Sequence, residues 1–198
     1  MTATFGFDID GVLTDDDDGT SNIWMVEASR YFNRPLIKPS FYLHEAVGVT
    51  RQEIDRFIEA RSMAIMENVS IRPHCLNVLR RLKSVYCDIH LITARKDSCR
   101  NLTEAWLGAN QIPYDSLTMK SVKDSHYSKG TICQHLEVDL FVDDNYENCL
   151  ELKQSGIYTL MYHCSHNQDK QAPVPVVRDW HEIETSIYQF HSTRKQRA

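Results

Sequence analysis

The first strong segment of the chain reads TFGFDIDG, residues 4–11. Apolar and aromatic residues that give way to Asp and Gly are typical of a short strand followed by a turn. Near-continuous apolar runs at residues 88–92, 138–142 and 158–162 predict further strands, and residues 116–119 predict a weaker one. Apolar runs of this kind suit strands that are buried on both faces, so they indicate a parallel sheet.

Helical patterns lie between these strands. One helix is predicted to begin at Pro73, because Leu76, Leu79 and Leu82 then fall on one stripe. The other predicted helices carry Leu102, Ala105 and Trp106 or span residues 128–136, 146–154 and 180–190. Strands that alternate with helices imply crossover connections, and they predict an α/β fold with a doubly wound, mostly parallel sheet.

The alternation breaks between the first strand and Pro73. Helices are predicted there at residues 21–32 and 50–66, and the segment contains no good strand. The second helix begins with a capping box, in which Thr50 is the N-cap and Glu53 is the third helical residue. We interpret the segment as a helical insert over the end of the first strand.

The predicted organisation is therefore a core domain, residues 1–14 and 73–198, with a small helical cap at residues 15–72. The aromatic residues of the cap are expected to form its core and to pack it on the sheet: Trp24, Tyr31, Phe32, Phe41 and Tyr42. One or two of them could instead line a pocket for a flat ring. The acidic run of residues 15–18 is interpreted as a solvated loop rather than a second metal site.

Composition and charge argue against several classes of protein. The net charge of −5 argues against general affinity for nucleic acid or an anionic membrane. No apolar run approaches the ~20 residues that cross a bilayer, and the N-terminus lacks the basic region of a secretory signal. The cytoplasm is therefore the expected compartment. The six cysteines form no CxxC pair or zinc-finger spacing, so we expect reduced, buried thiols.

Polar side chains stand at the carboxyl ends of three predicted strands. The set comprises Asp8 and Asp10, then Thr93, Ala94 and Arg95, then Asp143 and Asp144, with Lys129 at the start of the helix before the last of these strands. Ligands of open α/β sheets bind outside the carboxyl ends of the strands. We therefore expect these residues to converge at one edge of the sheet.

Four converging carboxylates would repel one another without a cation, and hard carboxylate oxygens suit Mg²⁺. An aspartate can attack phosphorus and form an aspartyl-phosphate. A second carboxyl two residues on can protonate the leaving alcohol and later activate water. Thr93 and Lys129 supply donors for the phosphoryl oxygens. The pattern predicts an Mg²⁺-dependent phosphomonoesterase that uses one aspartate as its nucleophile and a second carboxyl, two residues on, as its acid and base.

Four motifs resemble the signature of the haloacid-dehalogenase-like superfamily of phosphatases. They are FDIDGVLT at residues 7–14, LITAR at residues 91–95, Lys129, and FVDD at residues 141–144. The resemblance covers the whole chain, with the helical insert at the position of the small cap of that superfamily.

The resemblance implies a role for each motif residue. Asp8 would be the nucleophile and Asp10 the acid and base. Mg²⁺ would be held by Asp8, the backbone carbonyl of Asp10, and Asp143 or Asp144. The implied phosphate-binding residues are Thr93, Ala94 and Lys129.

Four further, less specific motifs resemble the 5′(3′)-deoxyribonucleotidase branch of that superfamily and its uncharacterised bacterial and phage relatives. They are ITAR at residues 92–95, DNYEN at residues 144–148, His166-Asn167, and VRDW at residues 177–180. The resemblance favours a nucleoside monophosphate as the small-molecule substrate. A small, aromatic-rich insert also suits a compact metabolite with a flat base.

Several alternatives stay open. A sugar phosphatase or another small-metabolite phosphatase would use the same machinery. A phospho-acceptor switch without turnover is disfavoured, because Asp10 would hydrolyse its phosphate. Lys120 or Lys123 could replace Lys129 as the phosphate lysine, and Arg95 could form a surface ion pair or touch substrate. The sequence does not decide between Asp143 and Asp144 as the direct metal ligand, and it leaves a homodimer open.

Overall fold

The computed structural model describes residues 3–85, 87–121 and 126–197. Strands in this part of the chain form one parallel sheet in the order β3-β2-β1-β4-β5-β6. Their bounds are Thr4–Phe7 (β1), Asp88–Lys96 (β2), Ser116–Lys120 (β3), Leu140–Asp143 (β4), Tyr158–Tyr162 (β5) and Val176–Val177 (β6). The first strand lies near the centre of the sheet, so its carboxyl end is flanked by those of β2 and β4.

Helices connect these strands. Their bounds are Ile23–Phe32 (α1), Leu43–Val47 (α2), Arg51–Asn68 (α3), Cys75–Ser84 (α4), Arg100–Ala109 (α5), Lys129–His135 (α6), Tyr146–Gln154 (α7) and Trp180–Arg197 (α8). The predicted doubly wound, mostly parallel α/β fold with a helical insert after the first strand is confirmed. Within the described ranges, no helix combines the length and apolarity that a membrane span requires.

The core is built around β1. Phe5 and Phe7 of this strand are fully buried, and the Phe7 ring stacks on Trp180 of α8 with ring centroids 5.3 Å apart. The Trp180 indole N–H donates to the backbone carbonyl of Val12 at 3.0 Å. Because a buried indole N–H needs an acceptor, this bond ties the last helix to the loop that follows β1 and helps to fix that loop.

The insert forms its own small apolar cluster. Phe57 and Val47 are buried at its centre, and Trp24 and Phe32 pack against them. Tyr31, Phe41 and Tyr42 are about two-fifths exposed, so the expectation that all five aromatic residues form the core was wrong for these three. The predicted capping box is present, with Thr50 N–H donating to Glu53 Oε2 at 2.8 Å and Glu53 N–H to Thr50 Oγ1 at 3.3 Å.

Two elements were not predicted, namely α2 and β6. The first has five residues and the second two, so neither is long enough to show a hydrophobic period. The helix expected from Pro73 begins at Cys75 instead, because His74 has a left-handed backbone with φ +65°. The division of the chain into a core and a cap at residues 14 and 73 stays a prediction.

Candidate active site

The turn after β1 presents the first two carboxylates. Asp8 N–H continues the sheet by donating to the Val142 carbonyl at 3.0 Å, and the next residues wrap around the carbonyl of Ile9. Gly11 has φ +75°, and a Cβ atom there would collide with the carboxylate of Asp144. Glycine is therefore required both by backbone conformation and by space. The turn leaves Asp8 buried and the Asp10 side chain one-third exposed.

Lys129 lies between two of the predicted site carboxylates. It is the first residue of α6, and its ammonium lies 2.7 Å from Asp8 Oδ2 and 2.7 Å from Asp143 Oδ2. The side chain is almost completely buried. Burial disfavours its charge, but Asp143 and Asp8 outweigh that effect and raise the pKa of Lys129. Lys129 is therefore a permanently charged group between the ends of β1 and β4.

The end of β4 is held by hydrogen bonds from the start of α7. Asn145 N–H donates to Asp143 Oδ1 at 2.9 Å, and the Asn148 amide reaches the same oxygen at 3.2 Å. The Asp144 carbonyl accepts from the Asn167 amide at 2.7 Å, and His166 Nε2 lies 3.2 Å from it. These contacts hold the Asp143 carboxylate and the backbone of Asp144 in place.

The carboxylates of Asp8, Asp143 and Asp144 form a cluster that fits a hard divalent cation. One oxygen from each lies within 4.8 Å of the others, and all three residues are buried. Burial raises the pKa of Asp8 to about 6 against the opposing effect of Lys129. Burial and the charges of Asp143 and Asp8 raise the pKa of Asp144 well above its usual range. A cation would relieve this repulsion, and carboxylate oxygens are the ligands that Mg²⁺ prefers.

Thr93 and Ala94 lie in the last part of β2, which continues to Lys96 rather than ending at residue 92 as the sequence predicts. Thr93 is buried, and its hydroxyl oxygen accepts from the Arg95 backbone N–H at 3.2 Å. Its carbonyl accepts from the Tyr127 hydroxyl at 2.7 Å. Ala94 is exposed and lines the same cavity as Thr93 and Asp8. The structure therefore brings the second predicted motif to the same sheet edge as the first.

Arg95, whose role the sequence left open, pairs with Asp10. Its Nε and Nη2 donate to the two carboxylate oxygens of Asp10 at 2.8 and 2.7 Å, and its side chain is 2% exposed. Nη1 reaches the Thr103 hydroxyl at 3.3 Å. A bidentate guanidinium–carboxylate pair fixes orientation as well as position. Arg95 is thus neither a surface residue nor free, but an orienting partner of Asp10.

A cavity of about 880 Å³ lies next to these residues. The core contributes Asp8, Asp10, Thr93, Ala94, Arg95, Asp144 and His166 to its wall, and the insert contributes Asp16, Trp24, Phe41, Leu43, Ile58, Ser62, Met63 and Met66 among others. The volume is within the range of small-molecule sites. A ligand in this cavity would touch the strand-end carboxylates and the insert at once.

The acidic run of residues 15–18 was wrongly expected to be solvated throughout. Asp16 is buried, Asp17 is half-buried, and only Asp15 and Asp18 are exposed. His166 also lines the cavity, a position that the motif His166-Asn167 does not by itself predict. The position of a polar pair just after β5, at the ligand-binding edge of the sheet, was the signal for His166.

A second group of ligand-type side chains comprises Asp17, Cys164 and His166. Asp17 already accepts from the Ser165 backbone N–H at 3.0 Å. The guanidinium of Arg72 lies 3.9 Å from Cys164 Sγ, which places a fixed positive charge beside the group. Asp17 and Cys164 therefore already have polar partners within the protein.

Two of the three candidate phosphate lysines lie in the part of the chain that the structure describes, so only these two can be compared. Lys129 lies at the carboxylates, whereas Lys120 is exposed at the end of β3 with its ammonium 5.9 Å from the centre of the Tyr127 ring. Neither of these two lysines lines the cavity, so the contacts of Lys129 with Asp8 and Asp143 are what separate them. Lys123 lies outside the described residues. The geometry therefore favours Lys129 over Lys120.

Comparison with known protein sequences identifies distant relatives of this chain. No protein-family profile matches the chain. A nucleotidase of Clostridium acetobutylicum is 29% identical over 181 residues, which cover 89% of this chain and 88% of that protein. The match therefore extends over most of the length of both proteins.

Several solved structures have a backbone fold similar to that of this chain. A predicted phosphoglycolate phosphatase from Haemophilus somnus superposes with a TM-score of 0.65 at 16% identity, covering 94% of this chain and 98% of that one. A predicted β-phosphoglucomutase from Thermotoga maritima has a TM-score of 0.65 at 17% identity, covering 95% and 99%. A haloacid dehalogenase-like hydrolase from Streptococcus pneumoniae has a TM-score of 0.62 at 14% identity, covering 94% and 98%. The resemblance found in the sequence is confirmed at the level of the fold.

Proposed function

We propose that this chain, which has the haloacid-dehalogenase-like fold, is an Mg²⁺-dependent phosphatase that acts through an aspartyl-phosphate on Asp8. The observation that carries the proposal is the bridge of Lys129 between Asp8 and Asp143, because it gathers a nucleophile, a cation and a metal-type carboxylate in one buried place. Asp10 lies two residues on, oriented by Arg95. This set of groups is what transfer of a phosphoryl group requires.

The proposed reaction has two steps. An oxygen of Asp8 attacks phosphorus, the bond to the ester oxygen breaks, and Asp10 gives a proton to the leaving alcohol. Asp10 then takes a proton from water, which attacks the phosphoryl group and releases phosphate and the Asp8 carboxylate. Lys129, Thr93 and Ala94 would bind the phosphoryl oxygens throughout.

The proposed metal ligands are Asp8, the Asp10 carbonyl, and Asp143 or Asp144. When bound, Mg²⁺ supplies positive charge that lets an anionic aspartate approach an anionic phosphate. Arg95 has a separate task, because its fork holds the Asp10 carboxylate toward the cavity. If the Asp10 carboxylate pointed away from the cavity, the leaving alcohol would have no proton donor.

Lys129→Ala should lower kcat/KM about 10²-fold, with phosphate binding and turnover both weakened, because a charged donor to the phosphoryl oxygens is lost. The free energy of unfolding should fall by roughly 3–5 kcal/mol, since Asp8 and Asp143 would lose a buried counter-charge. Phosphate release and thermal unfolding measure the two effects. The matched control is Lys120→Ala, which should change little. The reverse ranking would show that the phosphate lysine lies elsewhere.

We further propose a nucleoside monophosphate, deoxy forms included and with the phosphate at the 5′ or 3′ position, as the substrate. The phosphoryl chemistry is blind to the alcohol, so selectivity must come from the insert. Trp24, Phe41 and Met63 of the insert line the cavity, and an aromatic ring that stacks on a base contributes about 1–3 kcal/mol. The name of the relative from Clostridium acetobutylicum supports the same class.

A hexose phosphate is the second candidate substrate. The insert also places Asp55 and Glu59 on the cavity wall, and carboxylates are good acceptors for sugar hydroxyls. One of the structural neighbours is a predicted β-phosphoglucomutase. The two candidates differ in whether aromatic stacking or hydrogen bonding to hydroxyls selects the substrate.

Phe41→Ala should reduce kcat/KM for deoxynucleoside monophosphates about tenfold, because one stacking surface is lost. Tyr42→Ala is the matched control, since Tyr42 is equally exposed but does not line the cavity. The measurement compares deoxynucleoside monophosphates, hexose phosphates and an aryl phosphate on each protein. A hexose phosphate that wins tenfold or more would overturn the nucleotidase assignment and leave the phosphatase mechanism standing.

A further inference from the structure

Three of the four carboxylates in the run of residues 15–18 have partners. They are Arg72 at 3.3 Å for Asp15, the Ser165 backbone N–H at 3.0 Å for Asp17, and the Thr20 backbone N–H at 2.8 Å for Asp18. Asp16 differs from all three. It is 9% exposed, it lines the cavity, and its Oδ1 is buried without a hydrogen-bond partner among the described residues.

A buried carboxylate oxygen without a donor is costly to the folded protein. The nearest cation, Arg72, has its Nη2 3.8 Å from Asp16 Oδ1, beyond hydrogen-bond distance. Other N–H groups of Arg72 are directed elsewhere, Nε to the Gly11 carbonyl at 3.1 Å and Nη1 to Asp15. Arg72 therefore balances part of the charge of Asp16 without satisfying its oxygen.

The position of Asp16 is fixed by the backbone. Its carbonyl accepts from the Ile23 N–H at 2.7 Å, which ties it to the start of α1, and the preceding Asp15 N–H donates to the Ser70 carbonyl at 2.7 Å. The chain on both sides is thus pinned to the insert. The backbone of Asp16 is therefore fixed where the turn after β1 meets the insert, and the Oδ1 atom without a partner belongs to this fixed residue.

The chemistry of the site limits what could satisfy this oxygen. A phosphoryl oxygen would be repelled by the carboxylate, and Arg72 already places one positive charge 3.8 Å from this oxygen. A neutral donor such as a hydroxyl brings no charge of its own and can donate to the oxygen. The two oxygens of an aspartate exchange by rotation about one soft torsion, so a donor in the cavity can reach either.

We infer that Asp16 accepts a hydrogen bond from a free hydroxyl group on the alcohol part of the substrate, and that it selects phosphate esters that carry such a hydroxyl. The inference rests on the proposed phosphatase function and adds a specificity residue to it. In a nucleoside 5′-monophosphate the group would be a sugar hydroxyl. Burial and the like charge of Asp10 raise the pKa of Asp16 to about 7, which agrees with an acceptor that has no donor until substrate arrives.

The test uses pairs of substrates that differ only in hydroxyl groups. One pair is a 2′-deoxynucleoside 5′-monophosphate and its 2′,3′-dideoxy analogue, and the other is glycerol 1-phosphate and n-propyl phosphate. The wild-type protein should prefer the hydroxyl-bearing member about tenfold to a hundredfold in kcat/KM, which is the range for a hydrogen bond to a charged group. Asp16→Ala should remove most of that preference. Asp18→Asn, which takes one charge from the same run at an exposed position, should keep it.

A second readout separates recognition from a structural role. Asp16→Asn should raise the midpoint of thermal unfolding, because it removes a buried charge that Arg72 balances only in part. A folded-state pKa of about 7, above the ordinary value of 3.8, means that the charge destabilises the fold fully above pH 7 and not at all below about pH 4. The stabilisation should therefore be larger at pH 8 than at pH 5.

The outcomes are distinct. An unchanged hydroxyl preference in Asp16→Ala, equal losses on both members of a pair, or no preference in the wild-type protein would overturn the inference. A lower unfolding midpoint in Asp16→Asn at pH 8 would show a structural role instead. If nucleotides are poor substrates but the glycerol pair shows the Asp16-dependent preference, the nucleotidase proposal fails and the role of Asp16 stands. Failure to hydrolyse any of the four esters would overturn both.

Discussion

Replacement of Asp8 by Asn should lower kcat by at least ~10³-fold, because an amide cannot serve as the nucleophile toward phosphorus. The rest of the site should survive, since Lys129 keeps its 2.7 Å contact with Asp143. Release of phosphate at saturating Mg²⁺ measures the loss, and thermal unfolding checks that the variant is folded. Near-normal turnover would exclude Asp8 as the nucleophile.

The matched comparison is Asp10→Asn, which removes the acid and base but keeps the nucleophile. Turnover should slow, while substrate binding should stay largely intact. An aryl phosphate has a leaving group that needs little protonation, so Asp8 can still attack it in this variant. Hydrolysis of the intermediate then lacks its base, and a phosphorylated protein should accumulate and be visible by intact mass. Asp8→Asn should show no such species.

The main strands could be predicted from the sequence because each is an apolar run long enough to bury both faces. The strand at residues 158–162 and the helix at residues 146–154 were predicted at their observed bounds. The strand expected at residues 138–142 begins at Leu140 and continues to Asp143. Short elements such as α2 and β6 owe their formation to neighbours that the local pattern does not contain.

The convergence of the motif residues could also be predicted, because parallel strands place their carboxyl ends at one edge. That rule brought Asp8, Thr93 and Asp143 together before any distance was known. The rule does not predict which of these side chains form hydrogen bonds or ion pairs with one another. The pairing of Arg95 with Asp10, and the bridging position of Lys129, depend on side-chain directions that only tertiary packing sets.

The burial of Asp16 could not be predicted from the charge pattern of the sequence. Four consecutive acidic residues are usually a solvated segment, and two of the four are exposed here. The turn after β1 and the start of α1 force the chain inward at Asp16, which no composition rule anticipates. Local rules tend to fail where a fold holds a residue for another purpose.

Removal of divalent cations should abolish activity, and addition of Mg²⁺ should restore it. Without a bound metal ion, the buried carboxylates of Asp8, Asp143 and Asp144 would repel an incoming phosphate, and Lys129 would offset that repulsion only in part. The measurement is phosphate release in excess chelator, followed by titration with Mg²⁺. Full activity in chelator would contradict the proposed metal site.

Binding of Mg²⁺ should also raise the thermal unfolding midpoint in the absence of substrate, because the ion binds the folded cluster and not the unfolded chain. Saturation at a hundred times the dissociation constant corresponds to about 2.7 kcal/mol. The pKa values of Asp8 and Asp144 are raised, so protons compete with the ion as the pH falls. The Mg²⁺-dependent stabilisation should therefore be larger at pH 8 than at pH 6. Asp144→Asn should reduce it, Asp18→Asn should not, and equal shifts in both variants would place the ion elsewhere.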